Sequence, residues 1–150
     1  MSLRKVTFPF PNIRDPEIEL IIEPFARKRF YPVKSIFIHA NDILLHMYYI
    51  RKGETRHYTI SDKGIEKIIY ILSSGWFFGE PSLYLNMRTG LNTLAETDLE
   101  LWEIKHSDFK KLLDDSSELR DKVNSCLTYK VLFLRHEAEV LSLNSCEDRL

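Results

Sequence analysis

Cysteine is nearly absent from this chain: Cys126 and Cys146 are the only two in 150 residues. Two distant thiols cannot hold an iron–sulfur cluster and lack the close spacing of a zinc site. The expectation is two free, reduced thiols in an intracellular protein. A charge excess is also missing, since 21 Lys and Arg stand against 22 Asp and Glu, a formal net charge of -1. No basic surface therefore announces nucleic-acid binding by this chain itself. No apolar run approaches the roughly 18 residues of a membrane span. Met1-Ser2-Leu3-Arg4-Lys5 is not followed by the apolar stretch of a secretion signal. No membrane association and a cytoplasmic location are expected. The five histidines, His39, His46, His57, His106 and His136, form no His-x-His or His-x-x-x-His pair. That pattern argues against a bound metal and against a cupin-type barrel enzyme, which needs paired histidines and a nearby carboxylate. His106-Ser107-Asp108 are adjacent at a helix start, where Ser and Asp act as caps. No catalytic residue, metal ligand or cofactor is expected.

What is present is a succession of short elements. Phe8-Pro9-Phe10-Pro11 and Arg14-Asp15-Pro16 read as an extended arm. Asp15 then caps a short helix with Pro16 at its first position. Ile18, Ile21, Ile22 and Phe25 fall on one face of that helix, and Pro24 limits its length. From Arg29 to Ile104 the pattern becomes short strands. They are Phe30–Val33, Ser35–Ile38, Met47–Ile50, Thr55–Ile60, Lys67–Leu72, Asn92–Glu96 and Glu100–Ile104. Gly, Asn and Asp turns separate them, as at Asn41-Asp42, Lys52-Gly53 and Ser61-Asp62-Lys63-Gly64. Such a series predicts an antiparallel barrel or sandwich.

Within that series lies Gly75-Trp76-Phe77-Phe78-Gly79-Glu80-Pro81-Ser82-Leu83-Tyr84. It predicts a strand, a tight glycine turn, one short helical segment and a return strand. The turn aims backbone N–H groups and one carboxylate at a common point, a means of holding a small anionic or hydroxyl-bearing ligand inside a barrel. After Lys105 the strands stop. His106–Leu113 predicts a short helix with Ser107 as its cap, and Ser117 is expected to cap a long helix to about Ser142. Leu127, Val131, Leu134, Ala138 and Leu141 recur every three or four residues along it, a coiled-coil seam. Cys126, Tyr129, Phe133 and Val140 form a second apolar face beside the first. A helix apolar on two faces has two partners, read here as the barrel and a second copy of the chain.

Helix, β-roll, Gly-Glu turn and long helix together resemble the cyclic-nucleotide-binding domain superfamily, most closely the sensor half of the CRP/FNR transcription regulators. The resemblance covers roughly residues 15–150. Its anchors are Ser35-Ile36-Phe37-Ile38-His39, Tyr48-Tyr49-Ile50 with Lys52-Gly53, Gly75 with Phe77-Phe78-Gly79-Glu80, and Phe109 with Leu112. It implies a pocket in which Gly79 and Glu80 open a phosphate cassette and the Glu accepts from a ribose hydroxyl. It further implies an Arg-Ser pair on the return strand. Counted forward from Glu80 those positions hold Gly90 and Leu91; counted back from Ala95 they hold Thr89 and Gly90. Neither register supplies the Arg, and Arg88 reaches the pocket only if the loop shifts. Where adenine-binding members carry Thr and Ser on the long helix, this chain has Leu134 and Arg135.

The expected fold is therefore mainly β with flanking helices: an antiparallel, jelly-roll-like β-roll followed by a long dimerisation helix. Residues 1–115 form the sensor roll and 116–143 the helix. Residues 144–150, ending Asp148-Arg149-Leu150, would start a winged helix-turn-helix DNA-binding domain that is absent from this chain. The expected effector site is Phe78, Gly79, Glu80, Arg88, Thr89, Gly90, Leu91, Asn92, Phe133, Leu134 and Arg135. The expected dimer interface is Leu127, Val131, Leu134, Ala138 and Leu141. The resulting expectation is a homodimeric sensor for a small-molecule effector other than cyclic AMP, acting on DNA through that further domain; the alternative is a true cyclic-nucleotide-binding module.

Overall fold

The computed structural model describes residues 10–148, with side chains as far as residue 143. Phe8 and Pro9 of the arm, the Cys146 side chain and Arg149-Leu150 lie outside the described residues. The chain opens with helix α1 (Pro16–Ile22), whose Asp15 side chain accepts from the Glu17 N–H. Ile18 and Ile22 are buried on the expected face, and Ile21 packs beside them. Phe25 is not on it. Pro24 lies in a separate 3-10 turn over Glu23–Phe25, and Phe25 is 47 % exposed there.

Eight strands follow in two antiparallel sheets. They are β1 (Ala26–Tyr31), β2 (Ile36–Ile38), β3 (His46–Lys52), β4 (Thr55–Ile60), β5 (Glu66–Leu72), β6 (Phe77–Phe78), β7 (Asn92–Ala95) and β8 (Leu99–Lys105). One sheet runs β1-β8-β3-β6 and the other β2-β7-β4-β5, the jelly-roll arrangement expected. The first strand begins earlier than its apolar residues suggest. Arg27, Lys28 and Arg29 belong to it, pairing with Glu103, Trp102 and Leu101. A charged run on an edge strand keeps its side chains in water and conceals the strand from an apolar-pattern reading.

Helix α2 (Glu80–Leu85) lies between β6 and β7. Helix α3 (His106–Asp115) continues directly from β8, with Lys105 at its N-cap and no side-chain cap bond. Ser107 is thus inside the helix rather than capping it. Helix α4 (Ser117–Asp148) is capped one residue earlier than expected, by the Ser116 hydroxyl accepting from the Leu119 N–H at 3.1 Å. It also runs past the expected end near Ser142, continuing as helix to Asp148.

The N-terminal arm is stitched across the roll. The Ile13 N–H donates to the Ser74 carbonyl at 2.9 Å, and the Trp76 indole donates to the Pro11 carbonyl at 2.8 Å. From α4, Lys122 donates to the Ile13 carbonyl at 2.8 Å. Gly75 makes this crossing possible. A Cβ there would collide with the Ile13 backbone carbonyl, and its φ of +94° is left-handed. Glu19 locks α1 to the same region. Tyr49 donates to it at 2.6 Å, Arg14 clamps it through two nitrogens, and Arg51 lies 3.2 Å away.

Candidate functional site

Gly79 turns the chain from β6 into α2 with φ +109°, and a Cβ there would press on the His46 carbonyl at 3.1 Å. This places Glu80 at the start of α2, buried, and aims its carboxylate at α4. The side chain that meets it is Lys130, also buried, whose ammonium donates to Glu80 Oε2 at 2.8 Å and to the Phe77 carbonyl at 2.7 Å. Burial lowers the lysine's pKa, but the adjacent Glu80 carboxylate and Tyr70 outweigh it and leave Lys130 above its ordinary value. The lysine is therefore a fixed positive charge inside the protein.

Lys130 is the residue that sequence reasoning missed. The signal was present: it lies four residues after Cys126 and three before Phe133, within an apolar face. Among the described side chains of α4, Leu119, Val123, Cys126, Lys130 and Val140 are the buried ones, with Phe133 half-buried among them. A single cation on that stripe requires an anion opposite, and Glu80 is the one supplied.

Around this pair lies a groove of about 450 Å³ between α2, β5 and α4. Its walls include Tyr70, Tyr84, Leu85, Leu127, Val131 and Leu134. Of the expected effector residues, Glu80 and Leu134 line it. Phe78 sits deeper in the roll, stacked on Tyr48 at 5.0 Å and edge-on to His57 at 4.8 Å. His57 is spanned by the Thr55 and Thr93 hydroxyls at 2.7 and 3.2 Å. Burial, then the Lys130 charge, drives its pKa well below the ordinary value, so the ring is neutral.

Phe133 does not line the groove. Phe10 of the arm covers it, ring centroids 4.9 Å apart, and also packs on Trp76, Tyr129 and Tyr70. Arg135 is exposed and lies 3.8 Å from Glu139 on its own helix. The return-strand group lines none of the groove either. The Thr89 and Gly90 N–H groups donate to the Asp42 and Ala40 carbonyls at 2.9 Å each. Arg88 donates to the Asn41 carbonyl, and Asn92 Oδ1 accepts from the Ala40 N–H at 3.0 Å. Leu91 is half-buried in the same loop. The loop that would present donors to a cyclic phosphate is closed against the 40–42 turn.

Among the described residues, no arginine lines the groove. Lys130, the one cation among the described residues that lines the groove, is already engaged by two acceptors. Among the described residues, no three His, Cys, Asp or Glu side chains converge as metal ligands. Burial raises the Cys126 thiol pKa, which disfavours a reactive thiolate. No helix among the described residues is long and apolar enough to cross a membrane.

Of the expected interface residues, Val131, Leu134 and Leu141 are 62 %, 44 % and 48 % exposed, and Ala138 is also exposed. Leu127 is half-buried. The two apolar faces of α4 thus have different surroundings: one is sealed on the roll and the other is open in the single chain.

Known proteins share this architecture. Over 90 residues the chain is 31% identical to the cAMP-activated global transcriptional regulator CRP of Haemophilus influenzae, covering 59% of this chain and 40% of that one. Over 98 residues it is 32% identical to the cAMP-activated global transcriptional regulator Vfr of Pseudomonas aeruginosa, covering 63% and 46%. The chain thus spans less than half the length of these two relatives. Among solved structures, the c-di-GMP responsive global regulator CLP of Xanthomonas campestris superimposes with a TM-score of 0.78 at 21% identity, covering 85% of this chain and 65% of that one. The Thermus thermophilus catabolite activator protein gives 0.72 at 22%, covering 89% and 62%. The sequence matches the family described as "Cyclic nucleotide-binding domain" over residues 28–116. The chain belongs to the cyclic nucleotide-binding domain family.

Proposed function

We propose that this chain is the effector-sensing and dimerisation domain of a CRP/FNR-type transcription regulator, with an effector other than cyclic AMP. The observation that carries the effector reading is the Glu80–Lys130 bond. The cassette carboxylate is engaged by a lysine of the long helix, and no other cation among the described residues lines the groove. A phosphate in a desolvated pocket without its cationic partner forgoes about 2–5 kcal/mol. At about 1.4 kcal/mol per tenfold in affinity, that is more than an order of magnitude.

The signal would pass by population shift. An effector in the groove touches α2, β5 and α4 together. If it fits one placement of α4 better than another, it biases how two α4 helices pair through Leu127, Val131, Leu134, Ala138 and Leu141. A DNA-binding domain beyond this chain would follow that pairing. The role is regulatory rather than catalytic, and it places the protein in the cytoplasm with its DNA.

The second reading, a true cyclic-nucleotide module, is favoured by the relatives whose names state cAMP activation. Calorimetric titration with cyclic AMP and cyclic GMP separates the two. The expected result is no saturable heat; low-micromolar binding of either nucleotide overturns the proposed effector class.

A further inference from the structure

The groove between α2, β5 and α4 contains two ionisable side chains of opposite sign, and they are bonded to each other at 2.8 Å. Among the described residues, the rest of its wall is aliphatic or tyrosine. A ligand with net charge finds no free counter-charge there. An anion attracted by Lys130 is repelled by Glu80 only 2.8 Å from it, and a cation attracted by Glu80 is repelled by Lys130, so the pair returns little net attraction to either. Drawing the pair apart instead leaves a buried charge without its partner, which is costly. The Thr89 and Gly90 N–H groups are engaged by the 40–42 turn and lie outside the groove wall.

A neutral molecule disturbs none of these bonds and gains the burial of its apolar surface. The groove's volume of about 450 Å³ lies within the usual range for small-molecule sites, roughly 300–1,000 Å³. Tyr70 and Tyr84 supply flat faces on which a ring can pack.

We infer that the groove takes a neutral, largely apolar, ring-bearing small molecule, and that the Glu80–Lys130 pair is the feature that excludes charged ones. This rests on reading the groove as the effector site. Leu127, Val131 and Leu134 belong both to the groove and to the open face of α4, so a second copy of the chain is the competing occupant.

Two fluorescent probes sharing one ring frame test this. N-phenyl-1-naphthylamine is neutral, and 8-anilino-1-naphthalenesulfonate adds a single sulfonate. The wild-type protein is expected to bind the neutral probe at one site per chain, at least about tenfold more tightly than the sulfonate. Leu85→Asp, an exposed change at the groove mouth, should weaken the neutral probe by about tenfold with the circular dichroism spectrum unchanged. Glu80→Gln, which leaves Lys130 without its carboxylate, should narrow or reverse the preference.

The inference is overturned if the sulfonate binds as tightly as the neutral probe, if neither binds, or if Leu85→Asp has no effect. An unchanged preference in Glu80→Gln removes the role given to the pair. Neutral-probe binding that appears only in the seam variant Ala138→Glu means that a second copy fills the groove, and overturns the proposal. Cyclic AMP titration in the same buffer keeps the two readings separable. Nucleotide binding overturns the proposed function, whereas lost probe preference without nucleotide binding overturns the ligand class alone.

Discussion

Lys130 reaches across from the long helix to bond Glu80 at 2.8 Å and the Phe77 carbonyl at 2.7 Å. One buried cation thus ties α4 to both sides of the Gly79 turn. Removing only one member of such a pair leaves the other buried and uncompensated. Lys130→Ala is expected to lose about 3–5 kcal/mol of folding stability, measured by urea denaturation. The double change Glu80→Gln with Lys130→Met should recover most of that loss, because no unpaired charge remains. A double variant no more stable than Lys130→Ala would show that the lysine acts through its packing alone.

Phe10 anchors the arm by packing on Tyr70, Trp76, Tyr129 and Phe133 at once. Phe10→Ala should cost about 3–5 kcal/mol, the usual range for an aromatic removed from a closed core. A change below about 0.5 kcal/mol, the range of an ordinary surface substitution, would show that the arm does not hold the fold.

Gly75→Ala combines a left-handed φ with a collision against the Ile13 backbone. The expected loss exceeds about 1 kcal/mol. Tryptophan emission should shift to longer wavelength as the Trp76 indole loses the Pro11 carbonyl and meets water. Unchanged emission and stability would mean that the arm crosses elsewhere in solution.

Val131→Glu places a charge on a residue 62 % exposed in the single chain, so the fold of one copy should survive. Sedimentation velocity is expected to move toward the monomer, because a buried unpaired carboxylate in a helix–helix seam is costly. An unchanged sedimentation coefficient would count against the Leu127–Leu141 seam.

Stability should fall below neutral pH. His57 is held well below its ordinary pKa of 6.5 by burial and then by Lys130. As pH drops, the unfolded chain therefore takes up this proton before the folded one does. The contribution is complete above about pH 6.5 and is lost below it, by at most about 1.4 kcal/mol per pH unit. His106 is shifted in the same direction, chiefly by burial, and adds to the slope. Glu19 and Glu96 are held below the ordinary 4.5 and extend the loss into acid with the same sign. Urea midpoints at several pH values check this, and His57→Gln should flatten the slope between about pH 5 and 6.5.

Much of the architecture was legible because strand and turn chemistry is local. Gly, Asn and Asp punctuation fixed the hairpins, and the spacing of apolar residues on α4 marked two faces. The misreadings are local competitions decided from outside. Phe25 leaves its expected face because a new 3-10 turn containing Pro24 follows α1, and Arg27–Arg29 form an edge strand because β8 supplies the pairing. Ser116, not Ser117, caps α4. The site was less legible. Lys130 appeared as one charge among many, and nothing local says that Arg88 turns to the Asn41 carbonyl or that Phe10 covers Phe133.

The sequence by itself determined the roll, the Gly79-Glu80 turn and the two apolar faces of α4, because each depends on residues close together in the chain. Only the tertiary structure decided what that turn faces. The Lys130–Glu80 bond and the Phe10–Phe133 contact join segments far apart in sequence. Which charges cancel and which apolar faces are sealed is set by that juxtaposition, where burial turns a solvated ion pair into a fixed feature of the site.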